Sequence, residues 1–284
     1  MVKIKVYFLM TSITFLQFFI PIVIEAKKRG YDAVFLLRTH YKDYANILLP
    51  SNALMLKVYS QKFGFKIYNA TADKLRKCKG IVFMVDGDLY GRNDSLKASQ
   101  HNYLEKKRNV KVSLIENMNY KWVYPKYISY VDYVFFPNKT FTDEFKFNSP
   151  KNIYLGNSKY DGIGDPHFLF EKFKLNKKNK HCLILFPKHI FRRKYKKHEI
   201  IKIYEYLRKM NYKLIVKTRP KDSIADKAYK GDYYVCSDKF PNESLELMKI
   251  CDLCVMFSSS ASEETIYSKI PCIDLPIEHK IKRH

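Results

Sequence analysis

The feature that most restricts the fold of this chain is the regular alternation of strand-like and helical segments, which begins at the N-terminus. Residues 6–24 carry no charged side chain, and by length alone this stretch could be a membrane anchor. Polar residues interrupt it, however, and Pro21 lies within it. We therefore predict a strand over residues 3–10, a short polar loop, and a buried helix over residues 15–29 that ends at Gly30.

The alternation continues on both sides of the Gly-rich segment "LGNSKYDGIGDP", residues 155–166, which is typical of a linker between domains. A further strand-like run is "YDAVFLLRTH", residues 31–40, and more strands are predicted at 65–68, 81–85, 110–115, 133–136, 181–186, 213–217, 253–257 and 272–275. Further helices are predicted at 44–63, 72–77, 95–107, 198–210, 244–250 and 263–268. This pattern indicates an α/β protein with two Rossmann-like domains, residues 1–157 and 158–284, and a ligand cleft between them.

Composition restricts the partners. The apolar fraction of 46% excludes a disordered chain, and the net charge of +24 predicts attraction to anions. RNA-binding proteins usually combine a basic groove with clustered aromatic residues, whereas Tyr and Phe are spread along this whole chain. We expect no specific nucleic-acid partner, while a peripheral contact with a membrane surface stays open.

The cysteines give no metal site. Cys251 and Cys254 have the spacing of a metal or redox pair, but no second pair or nearby histidine completes a zinc set. We interpret them as buried, reduced thiols, and we expect neither a metal nor a cofactor.

Three serines follow the apolar run 253–257, where a predicted strand passes into a helix. The first turn of a helix has unpaired N–H groups and a partial positive charge, so Ser258, Ser259 and Ser260 could hold a diphosphate. Glu263 or Glu264, one turn further on, could accept hydrogen bonds from ribose hydroxyls. The alternative is an ordinary helix N-cap followed by first-turn glutamates.

Charged residues follow other predicted strands. Lys217 and Arg219, in "IVKTRP", could neutralise a diphosphate, and an arginine can bind one in a bidentate manner. Asp88, in "DGD", and Glu116, in "LIEN", follow strands of the first domain. Either carboxylate could accept a proton from an attacking hydroxyl.

The segment "SSSASEETIYSKIPCIDL" resembles the donor site of GT-B enzymes related to UDP-N-acetylglucosamine 2-epimerases, which have a Ser-Gly-Gly turn, two glutamates and a later Gly-Lys-Pro. Upstream, "DGD", "LIEN" and "LGNSKYD" resemble that family's His-Gly-Asp, Val-Glu-Ala-Gly and Gly-Asn-Pro-x-x-Asp motifs in the same order. "FPKHIFRR" is similar, more loosely, to the His-Arg motif that opens the second domain, and this resemblance adds His189 to the site.

Two departures separate the chain from the epimerases. The Gly-Thr-Arg-Pro loop after the first strand is replaced by "TSITF", and the Ala-Gly-Leu-Arg after the glutamate is absent. The chain also resembles CDP-glycerol glycerophosphotransferases, whose Lys-x-His-Pro and Asp-Tyr-Ser-Ser turns are similar to residues 217–220 and 257–260. The first-domain His-Gly of those transferases is missing.

The two resemblances imply a transferase that uses a nucleotide-diphosphate donor to move a glycosyl or polyol-phosphate group in cell-surface glycan assembly. The donor is expected in the C-terminal domain and a glycan or lipid-linked acceptor in the N-terminal domain, with the protein in the cytoplasm or at the inner face of the membrane. The alternatives are a 2-epimerase in which Asp88, Glu116 and His189 move protons on the sugar, and an inactive nucleotide-sugar-binding protein. Relatives continue beyond the last strand, so the C-terminal domain is expected to be short or incomplete.

Overall fold

The computed structural model divides the chain into two compact units, Met1–Asp161 and Gly162–His284. It describes residues 4–10, 13–37, 50–85, 108–115, 131–144, 149–161, 166–186, 196–218, 223–236, 243–257, 259 and 261–275. No helix within these ranges is both long enough and apolar enough to cross a bilayer.

The described part of the first unit contains a seven-stranded parallel sheet. Its strands are β1 Lys5–Met10, β2 Asp32–Leu37, β3 Lys66–Asn69, β4 Gly80–Val85, β5 Asn109–Leu114, β6 Tyr133–Phe136 and β7 Asn152–Tyr154. The helices are α1 Leu16–Lys28, α2 Pro50–Phe63, α3 Ala72–Arg76 and α4 Lys139–Glu144, with 3₁₀ turns at Ile13–Phe15 and Ser158–Tyr160. The strand order β3-β2-β1-β4-β5-β6-β7 reverses direction between β1 and β4, as in a doubly wound Rossmann sheet.

The N-terminal prediction is confirmed. Helix α1 buries Leu16, Phe19 and Val23, and none of the three is more than 1% exposed. The ring of Phe19 lies 5.1 Å from that of Phe8, which in turn stacks on Phe35 at 5.0 Å. The uncharged stretch is therefore apolar because it forms a central strand and the helix packed on it.

Gly80 lets β4 start beside β1. Its φ is +149°, and a Cβ atom added there would lie 2.1 Å from the backbone oxygen of Lys5. Only glycine allows the two strands to approach this closely at their first residues.

The second unit repeats the architecture with five described strands, also parallel. They are β8 Lys180–Leu185, β9 Tyr212–Lys217, β10 Tyr233–Val235, β11 Leu253–Phe257 and β12 Cys272–Leu275. The helices are α5 Pro166–Lys172, α6 Lys197–Lys209, α7 Glu243–Ile250 and α8 Ser262–Ser268, with a 3₁₀ turn at Lys227–Tyr229. The order β10-β9-β8-β11-β12 reverses between β8 and β11, so the predicted class of two Rossmann-like domains is confirmed.

Within the described residues, one aspartate arrangement occurs three times at the amino-terminal edges of the sheets. Asp132, Asp232 and Asp252 each precede a strand directly, and each forms two hydrogen bonds with one residue of the neighbouring strand. The backbone N–H of the aspartate donates to that residue's carbonyl, and its carboxylate accepts that residue's N–H. The partners are Lys111, Leu214 and His181 in turn, and the carboxylate distance is 2.8 Å each time. One residue before the strand starts, no backbone carbonyl of that strand accepts the neighbouring residue's N–H. The aspartate carboxylate accepts it instead.

His181, at the start of β8, has a fully buried side chain. Neither ring nitrogen has a hydrogen-bond partner among the described residues, and the nearest rings are those of Phe170 and Tyr233 at 6.0 and 6.2 Å. Burial lowers the pKa of this imidazole below its usual 6.5, against a smaller opposing effect of the Asp252 carboxylate. The folded protein therefore keeps His181 neutral at a pH where the unfolded chain is protonated.

This shift predicts acid sensitivity of the second unit. Below about pH 6.5 the unfolded chain takes up a proton that folded His181 does not, so the free energy of unfolding should fall as the pH drops and be unaffected above about pH 7.5. Between pH 7.5 and 5.5 the free energy of unfolding should therefore fall because of this residue. In urea unfolding at both values, His181→Phe should remove that loss, whereas replacement of exposed His198 by Gln should leave it intact. Equal pH dependence in the parent and in His181→Phe would contradict the assignment.

Candidate nucleotide site in the second unit

The candidate site lies at the carboxyl edge of the second sheet, where the strand order reverses. Leu185 of β8 is aligned with Lys217 of β9 on one side and with Met256 of β11 on the other. The ends of these three strands therefore meet at one edge. In open α/β sheets, ligands bind outside the carboxyl ends of the strands at such a reversal.

The junction between β11 and α8 contains the three serines. Strand β11 is buried along its whole length, and the ring of Phe257 at its end packs edge-on against Phe186, which follows β8. Ser259 is partly buried and forms a tight turn: its Oγ accepts the N–H of Ala261 at 3.3 Å, and its carbonyl accepts the N–H of Ser262, also at 3.3 Å. The strand-to-turn-to-helix order predicted from the sequence is thus observed.

Ser259 does not cap α8 in the ordinary way. The N-cap residue of this helix is Ala261, which offers no side-chain cap, and α8 starts at Ser262. The Ser259 hydroxyl instead bonds two residues ahead within the turn. Glu263 and Glu264 lie in the first turn of α8, Glu263 exposed and Glu264 partly buried.

Lys217 forms a buried ion pair at this edge. Its Nζ lies 2.7 Å from Oε2 of Glu243, the first residue of α7, and the two side chains are only 12% and 4% exposed. Glu243 was not predicted from the sequence, because a glutamate in the first turn of a helix is common and nothing in the local pattern shows that it is buried. The positive charge of Lys217 is therefore matched by a carboxylate of the same unit.

Tyr234 forms hydrogen bonds at both ends of the loop that follows β9. This contact was not predicted from the sequence. Its hydroxyl lies 3.0 Å from Oγ1 of buried Thr218 and accepts the N–H of Ile224 at 2.8 Å. Thr218 and Ile224 flank the segment that carries Arg219. One phenol therefore restrains both ends of this loop.

Six predicted site residues lie outside the described ranges: Asp88, Glu116, His189, Arg219, Ser258 and Ser260. The structure does fix where the chain leaves the sheets toward three of them. Val85 of β4 is aligned with Leu114 of β5, so the segments leading to Asp88 and Glu116 start from neighbouring strands at the carboxyl edge. The segment leading to His189 leaves β8 after Leu185.

The cysteine pair lies away from this edge, near the start of β11. Burial raises the pKa of both the Cys251 and the Cys254 thiol above the usual thiol value, so both are protonated at neutral pH and neither is a ready thiolate ligand. Within the described ranges, no group of three or more His, Cys, Asp or Glu side chains is placed to hold a metal ion.

Two Rossmann-like units in succession, each with a parallel sheet of reversing strand order, define a GT-B-like fold. Solved structures agree. The chain is similar to the UDP-GlcNAc 2-epimerase of Methanocaldococcus jannaschii, with 13% identity, a TM-score of 0.59, and 96% of this chain and 84% of that one covered. It is similar to the Neisseria meningitidis UDP-GlcNAc 2-epimerase bound to UDP-GlcNAc, with 12% identity, a TM-score of 0.54, and coverage of 96% and 82%.

It is also similar to the glycotransferase of kitacinnamycin, with 8% identity, a TM-score of 0.56, and coverage of 98% and 82%. No protein-family model matches the sequence, and comparison with curated proteins gives no match. The proteins that share this fold thus include both epimerases and a glycosyltransferase.

Proposed function

We propose that this protein is an enzyme that uses a nucleotide-diphosphate donor to transfer a glycosyl or polyol-phosphate group in cell-surface glycan synthesis. The observation that carries the proposal is the fold, which has two Rossmann-like sheets in succession. A protein solved with UDP-GlcNAc matches it over nearly the whole chain. The β8/β11 reversal supports it, because the serine turn at Ser259 follows β11 there.

In the proposed mechanism the second unit holds the donor. Backbone N–H groups of the serine turn and the guanidinium of Arg219 stabilise the negative charge that develops on the departing phosphate. Glu264, partly buried one turn into α8, accepts hydrogen bonds from the ribose hydroxyls. Tyr234 positions the loop of Arg219 through Thr218 and Ile224.

The first unit supplies the acceptor side in this proposal. Asp88 or Glu116 removes the proton from the attacking hydroxyl, since a carboxylate can act as a general base. Both residues follow strands that end beside each other at the carboxyl edge of the sheet. The acceptor is a glycan or a lipid-linked saccharide. No step requires a metal, since Arg219 and the backbone N–H groups of the serine turn can stabilise the charge of the diphosphate.

An epimerase is the second candidate, favoured by the similarity to the two epimerase structures. In that case Asp88, Glu116 and His189 move protons on the sugar ring. Incubation with radiolabelled UDP-GlcNAc and CDP-glycerol, with and without a glycan acceptor, separates the functions. A transferase gives a labelled product only with an acceptor, an epimerase changes the sugar without one, and a binding protein changes neither donor.

A substitution at Ser259 tests the nucleotide site itself. Ser259→Asp places a carboxylate against the bound phosphates, and UDP affinity should fall by about 10-fold to 100-fold. The same charge near the start of α8 is favourable to the helix, so the melting temperature should hold. The measurement is calorimetric titration, with Ala228→Asp as a control that adds the same charge at an exposed position of the second unit.

Glu264→Ala extends the same test. It should weaken binding of UDP and barely change binding of inorganic pyrophosphate, which has no ribose. If Ser259→Asp binds UDP as tightly as the parent, the serine turn has a structural role only and the proposed donor site is wrong.

A further inference from the structure

The amino-terminal edge of the first sheet, opposite the carboxyl edge, presents a row of cations. Five neighbouring strands in the order β3-β2-β1-β4-β5 each start at, or within three residues after, an exposed basic side chain. These are Lys66, Arg29, Lys5, Lys79 and Arg108. Since neighbouring strands lie about 4.8 Å apart, the row is about 20 Å long.

Helix ends widen this row into a face. Helices α1, α2 and α3 end at the same edge, and their last turns and the residues just after them add exposed Lys27, Lys28, Lys62, Arg76 and Lys77. The acidic side chains at the described part of this edge are Glu25, Asp32 and Asp73, together with Asp132 before the next strand, β6. Glu25 pairs with Arg29, and Asp73 pairs with Arg76. Basic residues therefore clearly outnumber acidic ones, and the face is strongly positive.

An apolar side chain lies at the middle of this basic face. Ile4 precedes Lys5 on β1, the central strand of the five, and is 50% exposed. Gly80 brings Lys79 close by, because it allows β4 to start beside the Lys5 backbone. An exposed aliphatic residue is thus surrounded by cations on both neighbouring strands.

We propose that this basic face, made of the ten cations above and Ile4, docks on a membrane surface of anionic phospholipid. Lysines that reach such a surface each strengthen binding roughly fivefold at physiological salt. Electrostatic attraction or a single short apolar contact is weak alone, but the two together give stable peripheral attachment. A sheet edge extended on both sides by helix ends offers a broad array of charges rather than a groove.

A single-stranded nucleic acid fits this face less well. Proteins that bind such strands combine a basic groove with exposed aromatic rings for base stacking. Along the five strands of the row, the most exposed apolar side chain is aliphatic Ile4, and Tyr31 is only partly exposed. The exposed ring of Tyr133 lies outside the row, at the start of β6. The face therefore favours a lipid surface over stacked bases.

The docking proposal does not depend on the proposed reaction, but it determines which edge of the first sheet faces the membrane. Six-residue strands separate the two edges of the sheet by about 20 Å. A membrane at the amino edge therefore leaves the carboxyl edge, where Val85 leads toward Asp88, facing away from the lipid. An acceptor would have to extend roughly that far from the bilayer to reach it.

Vesicle co-sedimentation of the full chain tests the proposal. Vesicles of phosphatidylcholine with about one-third phosphatidylglycerol should bind the protein at about 0.1 M salt and release most of it at about 0.5 M, whereas pure phosphatidylcholine should bind little. The triple variant Lys62→Glu, Lys66→Glu, Lys79→Glu should bind the anionic vesicles at least about 100-fold more weakly. A matched triple variant at exposed positions elsewhere, Lys57→Glu, Lys139→Glu, Lys202→Glu, should stay within about threefold of the parent.

Two further variants keep the test decisive if the charge reversals disturb folding. The neutral set Lys62→Gln, Lys66→Gln, Lys79→Gln should give an intermediate loss, and Ile4→Ser should remove the binding that persists at high salt. Absence of binding to anionic vesicles, or equal loss in both lysine sets, would overturn the proposal. So would tighter binding to single-stranded RNA than to vesicles with the same dependence on Lys62, Lys66 and Lys79.

Discussion

Lys217→Met should destabilise the second unit by about 3 kcal/mol, because it removes the ammonium group that lies 2.7 Å from the buried Glu243 carboxylate. Replacing both partners, in Lys217→Met with Glu243→Leu, should recover most of this loss, since no charge then remains to be solvated. The measurement is urea unfolding followed by circular dichroism. Lys213→Met on the same strand is the control, and its exposed side chain should cost less than about 0.5 kcal/mol.

The same variants decide what Lys217 does. If Lys217 also contacts the donor phosphates, as the sequence suggested, the stable double variant should bind UDP more weakly than the parent. If its role is to neutralise Glu243, the double variant should bind UDP as tightly as the parent does. A Lys217→Met variant as stable as Lys213→Met would show that the pair does not hold α7 to the sheet.

Gly80→Ala should cost the first unit at least about 3 kcal/mol. The added methyl group would lie 2.1 Å from the Lys5 carbonyl oxygen, and both atoms belong to paired strands at the centre of the sheet. Either β1 and β4 separate at their starts, or the backbone leaves its φ of +149°, and both alternatives break hydrogen bonds or strain the chain. The measurement is urea unfolding followed by circular dichroism.

Gly30→Ala is the matched control for this prediction. Gly30 has a φ of +78°, but a Cβ atom there would meet nothing within 4 Å, so the cost should be limited to about 1 kcal/mol of backbone strain. The interpretation fails if the two alanine variants unfold at the same urea concentration, since the clash with the Lys5 carbonyl oxygen would then add nothing to the loss of stability.

The sequence predicted those elements whose periodicity extends over enough residues to be distinctive. Strand β11 and strand β6 were predicted at their observed bounds, because each is a run of apolar and aromatic residues bordered by polar residues or by proline. Strands β7 and β10 were missed, since each has three residues and lies at the end of its sheet, where alternation cannot be recognised. Helices α4 and α5, of six and seven residues, were also missed. Length alone does not explain this, since the equally short α3 and α8 were predicted.

The candidate site was predictable in position but not in its contacts. The carboxyl edge could be inferred because strand ends are visible in the sequence, and Ser259 lies at the predicted junction. The partner of Lys217 could not, because Glu243 lies in another element and its burial depends on how α7 packs. The contacts of Tyr234 with Thr218 and Ile224 likewise depend on the pairing of β10 with β9.

The three aspartates that precede β6, β10 and β11 have a consequence for how the sheets assemble. Each joins residues far apart in the chain, 21, 18 and 71 positions for Asp132, Asp232 and Asp252. Parallel strands can slip by one residue during folding, which would turn every side chain to the wrong face. An aspartate that both donates to and accepts from one residue can make both bonds only in the correct alignment. These side chains therefore favour native register over misaligned intermediates, in a topology whose long-range pairings fold slowly and expose strand edges to aggregation.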